Sequence, residues 1–235
     1  VTVRAVLFDI DGTLVDSNYL HVQAWSEAVA AAGRPVDDAR IHRAIGMDSE
    51  LLLEKVLGRD TPDTVTDKAT DEHADRYRAL GPRLRTFDGA RDLLHAIHSG
   101  GQQVVLATSA PPAELEALLA VLDAGDDIDH VTSGDDVSRA KPDAALIAVA
   151  LDRAGVLPTE AVLVGDTVWD GEAAARAGVA FVGVLSGGIG QAELTAAGAV
   201  AVYDDVATLF GDLAASPLRS DSFSVASERS GPRHG

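Results

Sequence analysis

The sequence predicts an α/β protein, a doubly wound parallel sheet with an all-helical insertion after its first strand. Three observations predict it. From Phe87 to Leu213 short apolar runs alternate with helical stretches, as in parallel sheets built from strand–helix units. From Ser17 to Arg85 the apolar spacing is helical and no convincing strand interrupts it. Three strands end in polar residues, namely Asp9 and Asp11, Thr108 and Ser109, and Asp166 and Asp170. Ligands gather at such strand ends in open α/β sheets.

The elements follow in order. Val3 to Phe8, broken only by Arg4, is a short Val-rich run closed by a turn signal, and it reads as a buried strand. Val22, Trp25, Val29 and Ala32 recur at spacings of three and four up to Gly33, giving a helix with a glycine stop. A second helix begins after Asp48 and runs to Gly58, and a third spans about Asp63 to Leu80 before Gly81-Pro82. The alternation then resumes. Helices are expected at Ala90–His98, Pro112–Leu122, Asp143–Ala154, Gly171–Ala177, Gln191–Ala197 and Val206–Leu213. Strands are expected at Gln103–Ala107, Asp129–Thr132, Ala161–Val164, Val179–Leu185 and Ala199–Tyr203. The expected organisation is a core of residues 1–16 and 86–215, a helical unit of residues 17–85, and a disordered tail of residues 216–235. The tail has six serines and little apolar periodicity.

Composition narrows the function. The 235 residues are 46% hydrophobic, ample for a packed core, and contain no cysteine. Thiolate catalysis, disulfides and Cys-ligated metals are thereby excluded, and a cytoplasmic location is expected. The formal charge of −18 repels nucleic acid and anionic membrane, so neither is an expected partner. It also repels a phosphorylated ligand, so an anion site here needs a metal and a local lysine.

The chemistry centres on Asp9-Ile10-Asp11-Gly12-Thr13. Period-two geometry puts Asp9 and Asp11 on one side of an extended chain, and Gly12 lets the backbone turn close to a ligand. Two like charges this close require a proton or a cation between them, and an oxygen-rich site suits Mg²⁺. The plainer alternative is turn chemistry at a strand end. Asp9-Ile10-Asp11-Gly12-Thr13-Leu14 resembles the first motif of the haloacid dehalogenase superfamily in its phosphatase form. Thr108 is similar to that family's hydroxyl motif, Lys141 to its lysine motif, and Gly165-Asp166-Thr167-x-x-Asp170 to its metal motif, in the family's order.

The resemblance implies a Rossmann-like core with a helical cap and a set of roles. Asp9 would be the nucleophile and Asp11 a general acid/base whose pKa is raised by its carboxylate neighbours. Asp9, Asp166 and the Asp11 carbonyl would hold Mg²⁺, with Asp170 closing the outer shell. Thr108, Ser109, Ala110, Lys141, Gly12 and Thr13 would hold the phosphate. His21 and Trp25, in His-x-x-Ala-Trp, resemble the cap pattern of sugar-phosphate phosphatases and β-phosphoglucomutases, and Ser49 is a further cap candidate. Each has a plainer alternative: an exposed lysine, a satisfied hydroxyl, a helix N-terminal acid, a packing tryptophan. Ser186 to Gly190 is glycine-rich but has no lysine, and it reads as a turn.

The expected function is therefore a Mg²⁺-dependent phosphomonoesterase acting on a small phosphorylated metabolite, a sugar phosphate or phosphoglycolate-like ester, as a monomer or weak homodimer. A phosphomutase is the alternative within the enzyme class. Against it, Gly46-Met47-Asp48-Ser49 stands where mutases of this type carry Gly-x-x-Arg, although Arg43 lies one turn earlier. A phospho-receiver or metal-binding regulator is the alternative outside that class, and the roughly 70-residue helical insertion argues against it.

Overall fold

A computed structural model describes residues 2–137 and 141–219. Its core is one six-stranded parallel sheet of β1 (Ala5–Phe8), β4 (Gln103–Ala107), β5 (His130–Thr132), β6 (Ala161–Gly165), β7 (Ala180–Val184) and β8 (Ala199–Tyr203). The strands run in the order β5-β4-β1-β6-β7-β8. The doubly wound parallel sheet expected from the alternation is present. β1 lies at its centre, pairing Phe8 with Leu106 on one side and with Val164 on the other.

The four residues of β1 have no exposed surface because both faces of the sheet are covered. Val6 and Phe8 point into one apolar layer and Ala5 and Leu7 into the other, the period-two alternation of a strand. Helices α5 (Ala90–Ser99), α6 (Pro112–Leu122) and α10 (Val206–Gly211) pack on the Phe8 face. Helices α7 (Ala145–Ala154), α8 (Val168–Ala177) and α9 (Gln191–Ala196) pack on the Leu7 face. Truncating a ring such as Phe8 to alanine costs about 3–5 kcal/mol.

Between β1 and the rest of the sheet, the chain leaves through β2 (Val15–Asp16) and returns through β3 (Arg85–Thr86). These form a two-residue antiparallel ribbon pairing Val15 with Thr86 and Asp16 with Arg85. The excursion carries α1 (Asn18–Ala31), α2 (Asp38–His42), α3 (Ser49–Leu57) and α4 (Asp63–Leu80). They share an apolar cluster of their own that includes Val22, Trp25, Ile41, Leu53 and Val56. Asp48 caps α3, its side chain accepting from the Leu51 amide at 2.9 Å.

Four expectations need correction. The ribbon and α2 were not legible, being too short to show periodicity. α8 starts at Val168 rather than Gly171, because Thr167 and Asp170 form a reciprocal capping box at its N-terminus. α7 starts at Ala145 rather than Asp143. The tail does not begin at Ser216. Leu218 is fully buried, its carbonyl accepts from Gln102 Nε2 at 2.7 Å, and Arg219 reaches the Ala96 carbonyl at 2.8 Å. The remainder of the expected tail, residues 220–235, lies outside the described residues.

Candidate active site

The carboxyl ends of β1, β4 and β6 are adjacent, so the polar residues that follow them meet. Asp9 continues β1, its amide donating to the Val164 carbonyl at 3.0 Å. Thr108 follows β4, and Asp166 follows β6. All three side chains are buried.

Lys141, from the loop before α7, enters this group with no exposed surface. Its Nζ lies 2.7 Å from Asp9 Oδ1 and 2.8 Å from Asp170 Oδ1. Burial opposes the ammonium, yet Asp170 and Asp9 together raise its pKa above the usual value. Burial pushes Asp9 up to about 7, with Lys141 pulling down and Asp170 and Asp11 adding to the rise. Burial, Asp170 and Asp9 hold the Asp166 carboxyl well above its ordinary range, against donors from Thr13 and Asn18.

Carboxylate oxygens of Asp9, Asp166 and Asp170 lie within 4.8 Å of one another. Lys141 pairs with two of these three buried carboxylates, Asp9 and Asp170, leaving a charge imbalance that a divalent cation corrects, and an all-oxygen donor set suits a hard cation. The surroundings of Asp166 fit the same purpose. Thr13 Oγ1 donates to Oδ1 at 2.9 Å and Asn18 Nδ2 to Oδ2 at 2.8 Å. A Cβ at Gly187 would stand 1.7 Å from Asp166 Oδ2, and one at Gly12 (φ +72°) would stand 2.4 Å from it. Only glycine lets these two backbone segments approach so closely. The acidic triad can hold a metal.

Asp11 faces the helical unit. Ser17 Oγ donates to Asp11 Oδ1 at 2.5 Å, and His21 Nε2 lies 3.3 Å from the same oxygen. Burial would raise the Asp11 pKa, but His21 and Ser17 outweigh it and the net direction is down. This corrects the expected rise: the dominant neighbours of Asp11 are a histidine and a hydroxyl, not carboxylates. For His21, burial pulls down, and the hydrogen bond and charge of Asp11 push it above the usual histidine value. His21 stacks on Tyr77 (centroids 3.8 Å) and Trp25 on His73 (4.0 Å), while His21 Nδ1 and His73 Nε2 are 3.1 Å apart. A cavity of about 60 Å³ separates the two parts of the chain above Asp9.

Among the expected residues, Asp9, Asp11, Thr108, Ser109, Ala110, His21, Trp25 and Ser49 all line this cavity. Thr108 Oγ1 accepts from the Ala110 amide at 3.0 Å. Ser109 Oγ contacts the Gly46 carbonyl at 3.5 Å, touching the helical unit. Lys141, Asp166 and Asp170 are not part of the lining and adjoin it through Asp9. Thr13 and Gly12 support Asp166 rather than lining the space. Arg43 is directed to Glu193 in an exposed ion pair and is not part of the lining.

Sequence reasoning missed Ser17, Asn18, His73, Glu114 and Gly187. Asn18 and Gly187 act on Asp166 from 148 and 21 residues away along the chain. The Ser186–Gly190 turn is part of the site's wall: Ser186 Oγ donates to the Gly12 carbonyl at 2.6 Å, and the Gly187 carbonyl lies 2.9 Å from His42 Nε2. Its glycines were the available signal.

The family model for haloacid dehalogenase-like hydrolases matches residues 3–178. A phosphoglycolate phosphatase of Rhodospirillum rubrum is 34% identical over 215 residues, covering 88% of this chain and 89% of that protein. A validoxylamine A 7'-phosphate phosphatase of Streptomyces hygroscopicus subsp. limoneus is 31% identical, covering 78% and 86%. The crystal structure of a hydrolase from Pseudomonas syringae superposes with a TM-score of 0.85 at 36% identity, covering 89% of this chain and 97% of that one.

Proposed function

The chain belongs to the haloacid dehalogenase-like hydrolases, and on that premise we propose that it is a Mg²⁺-dependent phosphomonoesterase working through an aspartyl-phosphate on Asp9. The observation that carries this reading is the buried set of Asp9, Asp166 and Asp170 around Lys141, with Asp11 on the same cavity. Asp9 attacks phosphorus in line, and the bond from phosphorus to the leaving alcohol oxygen breaks. The Asp11–His21 pair gives that oxygen its proton, His21 supplying it and Asp11 delivering it, and Asp11 then takes one from the water that cleaves the aspartyl-phosphate. Lys141 favours the ionised form of Asp9 against its burial and, with Thr108, Ser109 and the Ala110 amide, balances charge on the equatorial phosphate oxygens.

Mg²⁺, held by Asp9, Asp166 and the Asp11 carbonyl, would supply electrostatic neutralisation between carboxylate and phosphate. Asp170 fixes Lys141 and closes the outer shell. Gly12 and Thr13 shape the loop behind Asp166. Residues 17–85 act as a lid over a core of 1–16 and 86–215, and His21, Trp25 and Ser49 meet the substrate from the lid side. The substrate is a small phosphorylated metabolite, either a sugar phosphate or a phosphoglycolate-like ester. The mutase alternative loses support because Arg43, its one candidate for holding a second phosphate, is turned to Glu193. A cytoplasmic monomer or weak homodimer completes the reading. Among the described residues no helix is long and apolar enough to cross a membrane.

The test is phosphate release from p-nitrophenyl phosphate and a panel of metabolite monophosphates. Activity should vanish with EDTA and return with Mg²⁺, with Ca²⁺ substituting poorly. Full turnover in metal-free buffer would overturn the mechanism.

A further inference from the structure

The phosphatase reading, on which this inference rests, leaves open the alcohol to which the phosphate is attached. That alcohol occupies the part of the cavity away from Asp9, between Trp25, Met47, Leu52 and His73 of the lid and Pro111 and Glu114 of the core. Glu114 sits in the first turn of α6, and its side chain is 14% exposed. Its Oε1 is 3.7 Å from His73 Nδ1, too far for a hydrogen bond. Burial raises its pKa, and the nearby Asp11 charge adds to the rise against His21.

Among the described residues lining the cavity there is no lysine or arginine. Lys141 is spent on Asp9 and Asp170. His21 is paired with Asp11, and burial keeps His73 neutral, its pKa lowered to about 2. The adjoining depression, about 700 Å³, carries five carboxylates, Glu50 and Asp135 among them, against two arginines. Those arginines are engaged with Glu54 and with Glu172. An anionic alcohol would therefore meet an acid on its way in and another at its seat, with no free lysine or arginine among the described lining residues to receive it.

We propose that Glu114 is a specificity-determining residue, selecting phosphomonoesters whose leaving alcohol presents a hydrogen-bond donor, hydroxyl or ammonium, and no anion. A donor from the alcohol satisfies a half-buried carboxyl whose nearest described basic group, His73, is 3.7 Å away. A carboxylate in its place sets two acids together in a poorly hydrated space.

The test uses three two-carbon esters of nearly equal size: 2-hydroxyethyl phosphate, 2-aminoethyl phosphate and 2-phosphoglycolate. p-Nitrophenyl phosphate serves as the reactivity control. For the protein with Mg²⁺, kcat/KM on the hydroxyl and ammonium esters should exceed that on 2-phosphoglycolate at least tenfold. In Glu114→Gln, which keeps the shape and removes the charge, that ratio should fall toward one. A preference for 2-phosphoglycolate overturns the proposal. So does an unchanged ratio in Glu114→Gln; a lowered melting temperature beside it would mark Glu114 as a structural contact to His73. No release from p-nitrophenyl phosphate would instead remove the phosphatase reading and this inference together.

Discussion

Replacing Lys141 with methionine removes from a buried group of carboxylates the one lysine or arginine that pairs with it among the described residues, while nearly preserving its volume. At 2.7 and 2.8 Å and an effective dielectric of about 20, each ion pair is worth about 6 kcal/mol before solvation is counted. Desolvating the ammonium cancels much of that sum, and breaking a buried pair by deleting one partner costs about 3–5 kcal/mol. Such a loss is a large share of the roughly 5–15 kcal/mol that holds a domain folded. With a urea m-value of about 3 kcal/mol/M, it corresponds to a midpoint about 1–2 M lower. The measurement is urea unfolding at pH 7.5 in EDTA, so that metal binding does not contribute. The charge argument also fixes a sign for activity. Without Lys141 the Asp9 carboxyl loses its main acidifying neighbour, so its pKa climbs beyond about 7, and the acid limb of the pH–rate profile must move to higher pH. A midpoint lowered by less than about 0.3 M, about 1 kcal/mol, together with an unmoved acid limb, would refute the reasoning.

Three other outcomes are expected. Asp11→Asn keeps the proposed nucleophile and removes the proposed proton donor, so alkyl phosphates should slow by about 10²–10⁴-fold and p-nitrophenyl phosphate much less; equal losses on both would exclude Asp11 as the acid. Gly187→Ala places a methyl 1.7 Å from Asp166 Oδ2 in the present geometry, and the Mg²⁺ concentration for half-maximal activity should rise about 10–100-fold, with an unchanged requirement counting against Asp166 as a ligand. His73 takes no proton in the fold until about pH 2 but does so near its ordinary value of 6.5 when unfolded. Its contribution is therefore complete above pH 6.5 and lost progressively as pH falls toward 2, about 2 kcal/mol by pH 5. Unfolding of His73→Gln should lose less stability than the parent between pH 7.5 and 5, and identical losses would show that His73 is not the group responsible.

The residues legible in the sequence are those whose role is tied to a local pattern. Asp9 and Asp11 announce themselves by spacing at a strand end, and Asp166 does so by following an apolar run into a glycine. Thr167 and Asp170 carry a local capping signal ahead of the apolar periodicity, and the helix begins at that cap. What stayed hidden depends on pairings set only by the finished topology. Asn18 reaches Asp166 across 148 residues, and His73 reaches His21 across 52. Glu114 looks like any acid in a first helical turn until the lid stands over it. The net direction of the Asp11 pKa was misjudged for the same reason, since Ser17 and His21 come to it only when α1 folds back over the sheet.

β1 comes first among the described strands and lies at the centre of the sheet. Its two partners begin at Gln103 and Ala161, so its ladder on the β6 side closes only after Ala161 has been made. During synthesis Ala5–Phe8 remains an unpaired apolar segment while the four helices of the excursion, rich in local contacts, are free to form. Long-range parallel pairing is slow and exposes sticky intermediates. Asp9 thus acquires its neighbours late, when β6 docks and delivers Asp166. A nascent chain ending before Ala161 can therefore present folded helices and no reactive centre, which places the onset of activity at the last steps of folding.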